Sequence, residues 1–579
     1  MTVNTLPLKM PRACRPCFAL FALGAIACSD PASIDDAQDG DEYPEAVGPI
    51  EDYGKADSTG MGAAHKPLPE GASLDGNFRV FYGPHEPMMA VELELLNQVI
   101  DARRADPRTF SNADNPYRIR YAVYNLRARE VVDALGKAKK ANVFVQVLVD
   151  WRQMGPDYPW NTAYDYLEKK GFTVYRHQKG LTETQRREAN VIGVEVKGYM
   201  HLKTRLFEHP GNTVLITGSA NPGENVAFSD DSLHVVREPR IVDAFARCYD
   251  AILFGQRVVN EWEEEAPINA LFSGNATGVS AGTQILRWFE QEQEQILINV
   301  FSLRDFTAKD VSDSLVSLLK RKVEQGVPVY VITDRKQSDG VDENMKQVNS
   351  DEPTDDRLRQ AGVKVYETLN TASPFTAMHH KAAVLGRSRI RVISGSANWS
   401  FSGLGSRTEP AKNLESVLFL DTQRLDDGLT GRRYLANWFR ILNVYAHQGV
   451  QIDHEAPFSD VFAQFTGTQD WPQESLWFDV RDGDVGDNRI FVAGDVSALG
   501  AWGAQHSGLP LVTDEQNYPR WWSEDPVELP LGAPFVWRLW AGASETGKKT
   551  WEKTKNRNGL AGPGPFDTPS KVVIDAQWQ

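Results

Sequence analysis

MHLKTRLFEHPGNTVLITGSAN at 200–221 and MHHKAAVLGRSRIRVISGSAN at 378–398 decide how this chain is read. Each stretch opens on a His-x-Lys triplet, runs through a strand-like apolar segment, turns, and closes on Gly-Ser-Ala-Asn. Along a strand, residues i and i+2 project to one face, so His201 points with Lys203 and His379 with Lys381. A hairpin can then bring Asn221 beside the first pair and Asn398 beside the second. A lone His-x-Lys would mean little, since three-residue matches arise by chance. Two copies, each followed at a similar distance by Gly-Ser-Ala-Asn, mark a duplicated site. His380 lies one residue from His379, faces the opposite side of the strand, and reads as structural or solvent-facing.

The duplication extends outward. Tyr121–Leu126 is an apolar strand candidate, followed by a helical pattern through Val131, Val132, Leu135 and Ala138 and a second strand at Val143–Asp150. The same order recurs as Ile296–Leu303, a helix around Val311–Val323, and Val327–Asp334. Strand, helix, strand is the signature of a parallel or mixed sheet with helices packed on it. The expected organisation is two α/β halves, 76–265 and 266–447, sharing one site. After a linker at 448–472, the segment 473–579 changes character. Nine of the fifteen tryptophans lie from Trp471 onward, within short β-type runs separated by Gly, Pro and Asp turns, which predicts an all-β sandwich or barrel.

At 579 residues the chain is too long for one ordinary core. Residues 1–28 read as an export signal: Lys9, Arg12 and Arg15 precede a short apolar run from Phe18 to Ala27. The run ends Ala25-Ile26-Ala27-Cys28, which resembles a bacterial lipoprotein cleavage site with Cys28 as the lipidated residue. The reading is therefore an exported protein, either a cell-envelope lipoprotein anchored to membrane through Cys28 or a freely secreted one. Residues 29–75 read as an acidic disordered tether: from Asp30 to Asp57 there are ten acidic residues and one Lys. Cys14 and Cys17 fall in the signal segment, and Cys248 reads as a small buried core residue. A net charge of −16 disfavours long-range capture of nucleic acid.

On the paired His-x-Lys and Gly-Ser-Ala-Asn motifs, together with Asn413-Leu414-Glu415, the chain resembles the phospholipase D superfamily over roughly 370 residues. The resemblance implies duplicated α-β-α sandwich halves with a single phosphodiesterase site between them. One histidine attacks phosphorus to give a phosphohistidine, and the other protonates the leaving group and then activates water or an alcohol. The chemistry fits these residue types. A neutral imidazole is a suitable nucleophile toward an anionic diester, and two steps let one general acid become the general base without a cofactor or metal. Lys203, Lys381, Asn221 and Asn398 would donate to the non-bridging oxygens, each such donor worth roughly 3–4 kcal/mol. Glu415 would orient an imidazole through its other nitrogen. The sequence departs from the family pattern in placing Glu208 and Gly386 where the extended motif has Asp. The first copy reads Asp231-Ser232-Leu233 opposite Asn413-Leu414-Glu415, leaving the orienting carboxylate without an evident twin. Of the two histidines, His201 is the favoured nucleophile.

In the last segment, Ala498-Leu499-Gly500-Ala501-Trp502 and Trp551-Glu552-Lys553-Thr554-Lys555-Asn556-Arg557 resemble the family 20 carbohydrate-binding modules, which bind starch and have an immunoglobulin-like β-sandwich fold. The resemblance implies a glucose platform from Trp502 and Trp551, with Arg538, Glu552 and Asn556 bonding to hydroxyls; Arg538 stands where Lys is usual. A second sugar site would fall near Phe491, Tyr518 and Trp521 or Trp522, whereas Trp537 and Trp540 belong to the core. Together these features describe a monomeric phosphodiesterase, acting on a phospholipid head-group bond or another phosphodiester, with starch or α-glucan as its second partner. The alternatives are a nuclease of the same superfamily and a catalytically vestigial glucan-binding surface protein.

Overall fold

The computed structural model describes residues 67–578 with interruptions, the longest at 154–162, 178–190, 340–352 and 448–457. The signal segment with Cys28, and most of the acidic tether, lie outside the described residues. The expected tether boundary moves slightly: Leu74 is buried against the first half, so packed chain begins before residue 76.

Two mixed sheets carry the duplication. In spatial order the first holds Phe78–Tyr82, Ser232–Val236, Asn212–Gly218, Lys203–His209, Arg118–Val123, Phe144–Asp150, Val174–His177 and Val191–Ile192. The second holds Ile268–Phe272, Ser416–Asp421, Arg391–Gly395, Lys381–Leu385, Ile296–Val300, Val329–Asp334 and Lys364–Thr368. Strand for strand the first seven correspond. In each sheet the strand that follows the His-x-Lys histidine pairs antiparallel with a strand from the βαβ unit: Val123 faces Lys203 and Val300 faces Lys381.

Strand alternation divides the core into three layers. Val80, Leu206 and Leu215 of the first sheet, together with Leu297, Val384 and Val392 of the other, point inward onto a shared core, which also takes helices Pro239–Phe254 and Leu429–His447. Ile119, Tyr121 and Phe207 point outward beneath helices Met88–Ala105 and Arg129–Lys140. Ile298, Ala383 and Ile393 do the same beneath Ala281–Gln291 and Leu315–Glu324. Helix Arg129–Lys140 buries Val131, Val132, Leu135 and Ala138, the residues whose spacing predicted it. Cys248 sits in the shared core, where burial pushes its thiol pKa up.

The expected linker is in part structural. Helix Phe458–Thr466 buries Phe458, Val461 and Phe465, and Phe465 packs with Phe439 and Trp471 at ring-centroid distances near 5.3–5.5 Å. Two β-sheets follow, one built on Gln473–Arg481 and the other on Arg489–Gly494 and Pro534–Gly542, closing over a core that includes Leu476, Val492, Phe535 and Trp537. This all-β unit is seated on the paired α/β halves. Arg433 donates to the carbonyl oxygens of Pro563 (2.7 Å) and Val80 (2.8 Å), and the Trp471 indole donates to Leu531 O at 3.0 Å. No helix among the described residues is long and apolar enough to cross a membrane.

Candidate active site

The two Gly-Ser-Ala-Asn turns are locked from behind. A Cβ on Gly218 would collide with the carbonyl oxygen of Ser232, and one on Gly395 with that of Ser416, so the chain can approach this closely only without a side chain. The following serines bond across the same gap: Ser219 N donates to Ser232 O at 3.0 Å and Ser396 N to Ser416 O at 2.9 Å. In each half, the residue just before the strand that begins with that serine is a carboxylate, Asp231 or Glu415. Ser219 Oγ donates to Asp231 and Ser396 Oγ to Glu415, both at 2.7 Å.

Each carboxylate serves the histidine of the other half. His201 Nδ1 lies 2.9 Å from Glu415, and His379 Nδ1 lies 2.9 Å from Asp231. The backbone makes the same exchange: His201 N donates to Leu414 O (3.0 Å), and His379 N to Asp230 O (2.9 Å). Isolated parallel bridges Met200 to Leu414 and Asp230 to Met378 complete the pseudo-twofold crossing. Asp231 is therefore the twin of Glu415, which corrects the expectation that the orienting carboxylate has none. Setting Asp231 opposite Asn413 leaves it two positions out of register, because the segments between Gly-Ser-Ala-Asn and the carboxylate differ in length. The repeated signal is a carboxylate followed by Ser and an apolar strand.

The lysines are held in matched ways. Lys203 Nζ donates to His201 O at 3.1 Å and lies 5.5 Å from the Tyr124 ring; Lys381 Nζ donates to His379 O at 2.9 Å and lies 5.1 Å from the Phe301 ring. Those same rings meet the histidines edge-on, with centroids 5.1 Å from His201 and from His379. Tyr124 and Phe301 are thus paired supports to which the motif alone does not point. Their signal in the sequence is the repeat Val-Tyr-Asn-Leu-Arg at 123–127 and Val-Phe-Ser-Leu-Arg at 300–304.

His201, Lys203, Asn221, His379, Lys381, Asn398, Asp231 and Glu415 are all buried, in a setting where charge interactions are stronger than in water. Burial, then the charges of Lys203, Lys381 and His379, press the His201 pKa well below its ordinary value. Burial alone would raise the Asp231 carboxyl, but the charge and hydrogen bond of His379, with Lys381 and Ser219, hold it at about 2. The side-chain amide of Asn398 is fully buried, with neither its nitrogen nor its oxygen hydrogen-bonded.

The motif departures have structural roles. Glu208 accepts from Arg120 at 2.8 and 3.0 Å, and Gly386 occupies a turn at φ +76°. His380 is buried rather than solvent-facing, 3.3 Å from the Asn437 amide, and burial lowers its pKa to about 3.

In the β-unit, Trp502 and Trp551 are among the few exposed large apolar side chains, at 40% and 38%, with ring centroids 6.2 Å apart. The Arg538 guanidinium lies 5.6 Å from the Trp551 ring, and Asn556 is exposed. Glu552 departs from expectation. It is buried, accepts from Leu539 N (3.0 Å) and from Arg557 (2.6 and 3.3 Å), and is spent on the fold instead of facing a sugar. Trp537 and Trp540 are buried as expected; of the second-site aromatics, Phe491 and Trp521 are buried and Tyr518 is exposed.

Comparison with family models agrees with this architecture. The family model described as cardiolipin synthase, PLD-like domain, matches residues 108–253 and 285–431, and the starch binding domain model matches 475–562. A search of curated proteins found no match. Among solved structures, the chain is similar to a polyphosphate kinase from Porphyromonas gingivalis, with 15% identity and a TM-score of 0.41, over 69% of this chain and 55% of that one. It is similar to Nuc, a phospholipase D family member from Salmonella typhimurium, with 15% identity and a TM-score of 0.23, over 33% of this chain and 98% of that one. A family 15 glucoamylase from Hypocrea jecorina matches 18% of this chain over 17% of its own length, with 22% identity and a TM-score of 0.16. With both halves matched across half its length and the His-x-Lys pairs crossed at one centre, the chain belongs to the PLD-like domain family and carries a C-terminal starch binding domain.

Proposed function

We propose that this protein is an exported phosphodiesterase that cleaves a phospholipid head-group or related phosphodiester bond through a phosphohistidine on His201, while its terminal module holds it to α-glucan. The observation that carries the reading is the crossed pair of histidine–carboxylate dyads. In each, Nδ1 is engaged by a carboxylate, which directs Nε2 toward the reacting centre. Lys203 and Lys381 balance Asp231 and Glu415 in charge. A protonated His379 leaves the centre with one positive charge, which a monoanionic diester neutralises.

The dyads divide the work. His201, held neutral by burial and by three neighbouring cations, is the nucleophile. His379, paired with a carboxylate that its own charge keeps ionised, is the acid. His201 Nε2 forms a bond to phosphorus as the P–O bond to the leaving alcohol breaks, and His379 passes its proton to that oxygen. Water then gives a proton back to His379 and attacks phosphorus, breaking the P–N bond and restoring both histidines. Lys203, Lys381, Asn221 and Asn398 hold the non-bridging oxygens. The unsatisfied, buried Asn398 amide supports that assignment, because such a group costs about 1–3 kcal/mol until a partner arrives.

The Trp502 and Trp551 faces support glucan binding: a pyranose covers an indole with its apolar face, and Arg538, beside the Trp551 ring, and the exposed Asn556 would bond its hydroxyls. Cys28 as a lipid anchor and residues 1–28 as an export signal belong to the same proposal. Purified mature protein should release head group from phospholipid vesicles without added metal, and should be retained on starch unless Trp502 and Trp551 are both changed to Ala. Absence of activity on phospholipid and on a generic diester such as bis-p-nitrophenyl phosphate would overturn the enzymatic reading. Cleavage of single-stranded DNA in preference to lipid would redirect it to a nuclease.

A further inference from the structure

Where the starch-binding unit meets the catalytic body, the two enclose a cavity of about 750 Å³, within the range of small-molecule sites. One wall is Tyr82 with the helix bearing Asn437, Arg440 and Asn443; the other is the β-unit near Asp495 and Phe535. Its polar inventory is unusual in being left partly unused. Tyr82 is 4% exposed, and its hydroxyl has no hydrogen-bond partner; the Asn443 side-chain oxygen is likewise buried and unpartnered. Arg433, on the same lining, also keeps its Nε buried and unpartnered; buried polar groups are almost always satisfied, so these orphans point to a ligand that supplies both a donor and an acceptor.

The charges on the wall select the class of ligand. Arg433 is paired with Glu86 at 2.8 Å, and Arg440 with Asp230 at 2.6 Å, so both guanidinium groups already have their counter-charges. Glu86 and Asp495 add carboxylate oxygens to the lining. A phosphate or carboxylate would meet no uncompensated cation there. A neutral polyhydroxyl ligand would find hydroxyl, amide and carboxylate partners, and the buried rings of Phe439 and Phe535 for its apolar face.

We propose that this interdomain cavity is a second carbohydrate site, taking the end of an α-glucan chain and separate from the Trp502–Trp551 surface. It goes beyond the phosphodiesterase reading and does not require it. The choice of glucan rests on the starch-binding reading of the module, which wild-type retention on starch tests separately.

The experiment uses the full-length chain with the exposed aromatics removed, Trp502→Ala, Tyr518→Ala and Trp551→Ala, and maltotriose titrated by calorimetry. One maltotriose per chain should still bind. Adding Tyr82→Phe, which removes an unpartnered hydroxyl and should leave thermal unfolding unchanged, should weaken binding about tenfold, the effect of one lost hydrogen bond. Asn443→Leu should do the same. The proposal is overturned if the stripped chain binds no maltotriose, if neither substitution changes the residual affinity, or if inorganic phosphate competes for the site.

Discussion

Beneath His201, the first half carries a buried ionic floor. Arg205, two residues beyond Lys203, faces Glu92 at 3.4 Å and donates to Ala220 O of the Gly-Ser-Ala-Asn turn at 2.9 Å, while the Tyr121 hydroxyl donates to Glu92 at 2.7 Å. Beneath His379, the second half places Ala383 and Ile298 at the matching positions, within a cluster of buried apolar side chains. Yet both histidines meet their carboxylates at the same 2.9 Å. The geometry of the centre therefore comes from what the halves share: the glycine-backed turns, the serine–carboxylate bonds and the crossing of the backbone. The composition of the floor is a separate matter of stability.

The sharpest way to break the apparent symmetry is chemical. His201→Ala should abolish turnover for every diester. His379→Ala should lose roughly 10²–10⁴-fold on alkyl diesters but recover most of that loss on a p-nitrophenyl diester, whose leaving group needs no proton. Steady-state rates on the two substrate classes check this, and equal losses for both variants on both substrates would show that the histidines are interchangeable.

The floors should part next. Arg205→Met leaves Glu92 as an uncompensated buried charge and should cost about 3–5 kcal/mol, read as a lower midpoint of thermal unfolding. Replacing Arg205 by Met and Glu92 by Leu together should recover most of it, since an apolar floor already serves the second half. Failure of the double variant to recover would mean that the ion pair itself positions the turn.

A smaller effect separates acid stability from the dyads. His234 in the first half and His380 in the second are buried, and burial lowers each pKa to about 3. The unfolded chain binds protons at these residues below about pH 6.5 while the native one does not. Stability should therefore fall as pH drops, by about 1.4 kcal/mol per pH unit for each histidine. Asp231, held at about 2, contributes stability that stays intact above roughly pH 4 and is lost only as pH falls toward 2. His380→Gln should flatten the slope of unfolding midpoint against pH between 6 and 4. An unchanged slope would rule out the buried neutral histidine as its source.

Much of the architecture is legible in the chain because the decisive residues are local. His and Lys at i and i+2, a turn, and Gly-Ser-Ala-Asn are read by strand alternation and hairpin closure alone. The helix at 129–140 and the tryptophan-rich β-unit follow from periodicity in the same way. What escapes a reading along the chain is set by long-range pairing. Asp231 and Glu415 are separated from their histidines by 148 and 214 residues, and only the crossing of the halves brings them together. Glu552 has its place in a sugar-binding motif, but Arg557, five residues on, claims it first. The helix at 458–466 reads as linker because its apolar face is short, and its core is completed by distant rings such as Tyr330, Phe439 and Trp471.

The division of roles between the halves is the central claim, and trapping the covalent intermediate tests it most directly. Rapid acid-free quenching of enzyme turning over a diester, followed by proteolysis and mass spectrometry, should find the phosphoryl adduct on the peptide carrying His201 and none on the peptide carrying His379. An adduct on His379, or on both in comparable amounts, would contradict the account.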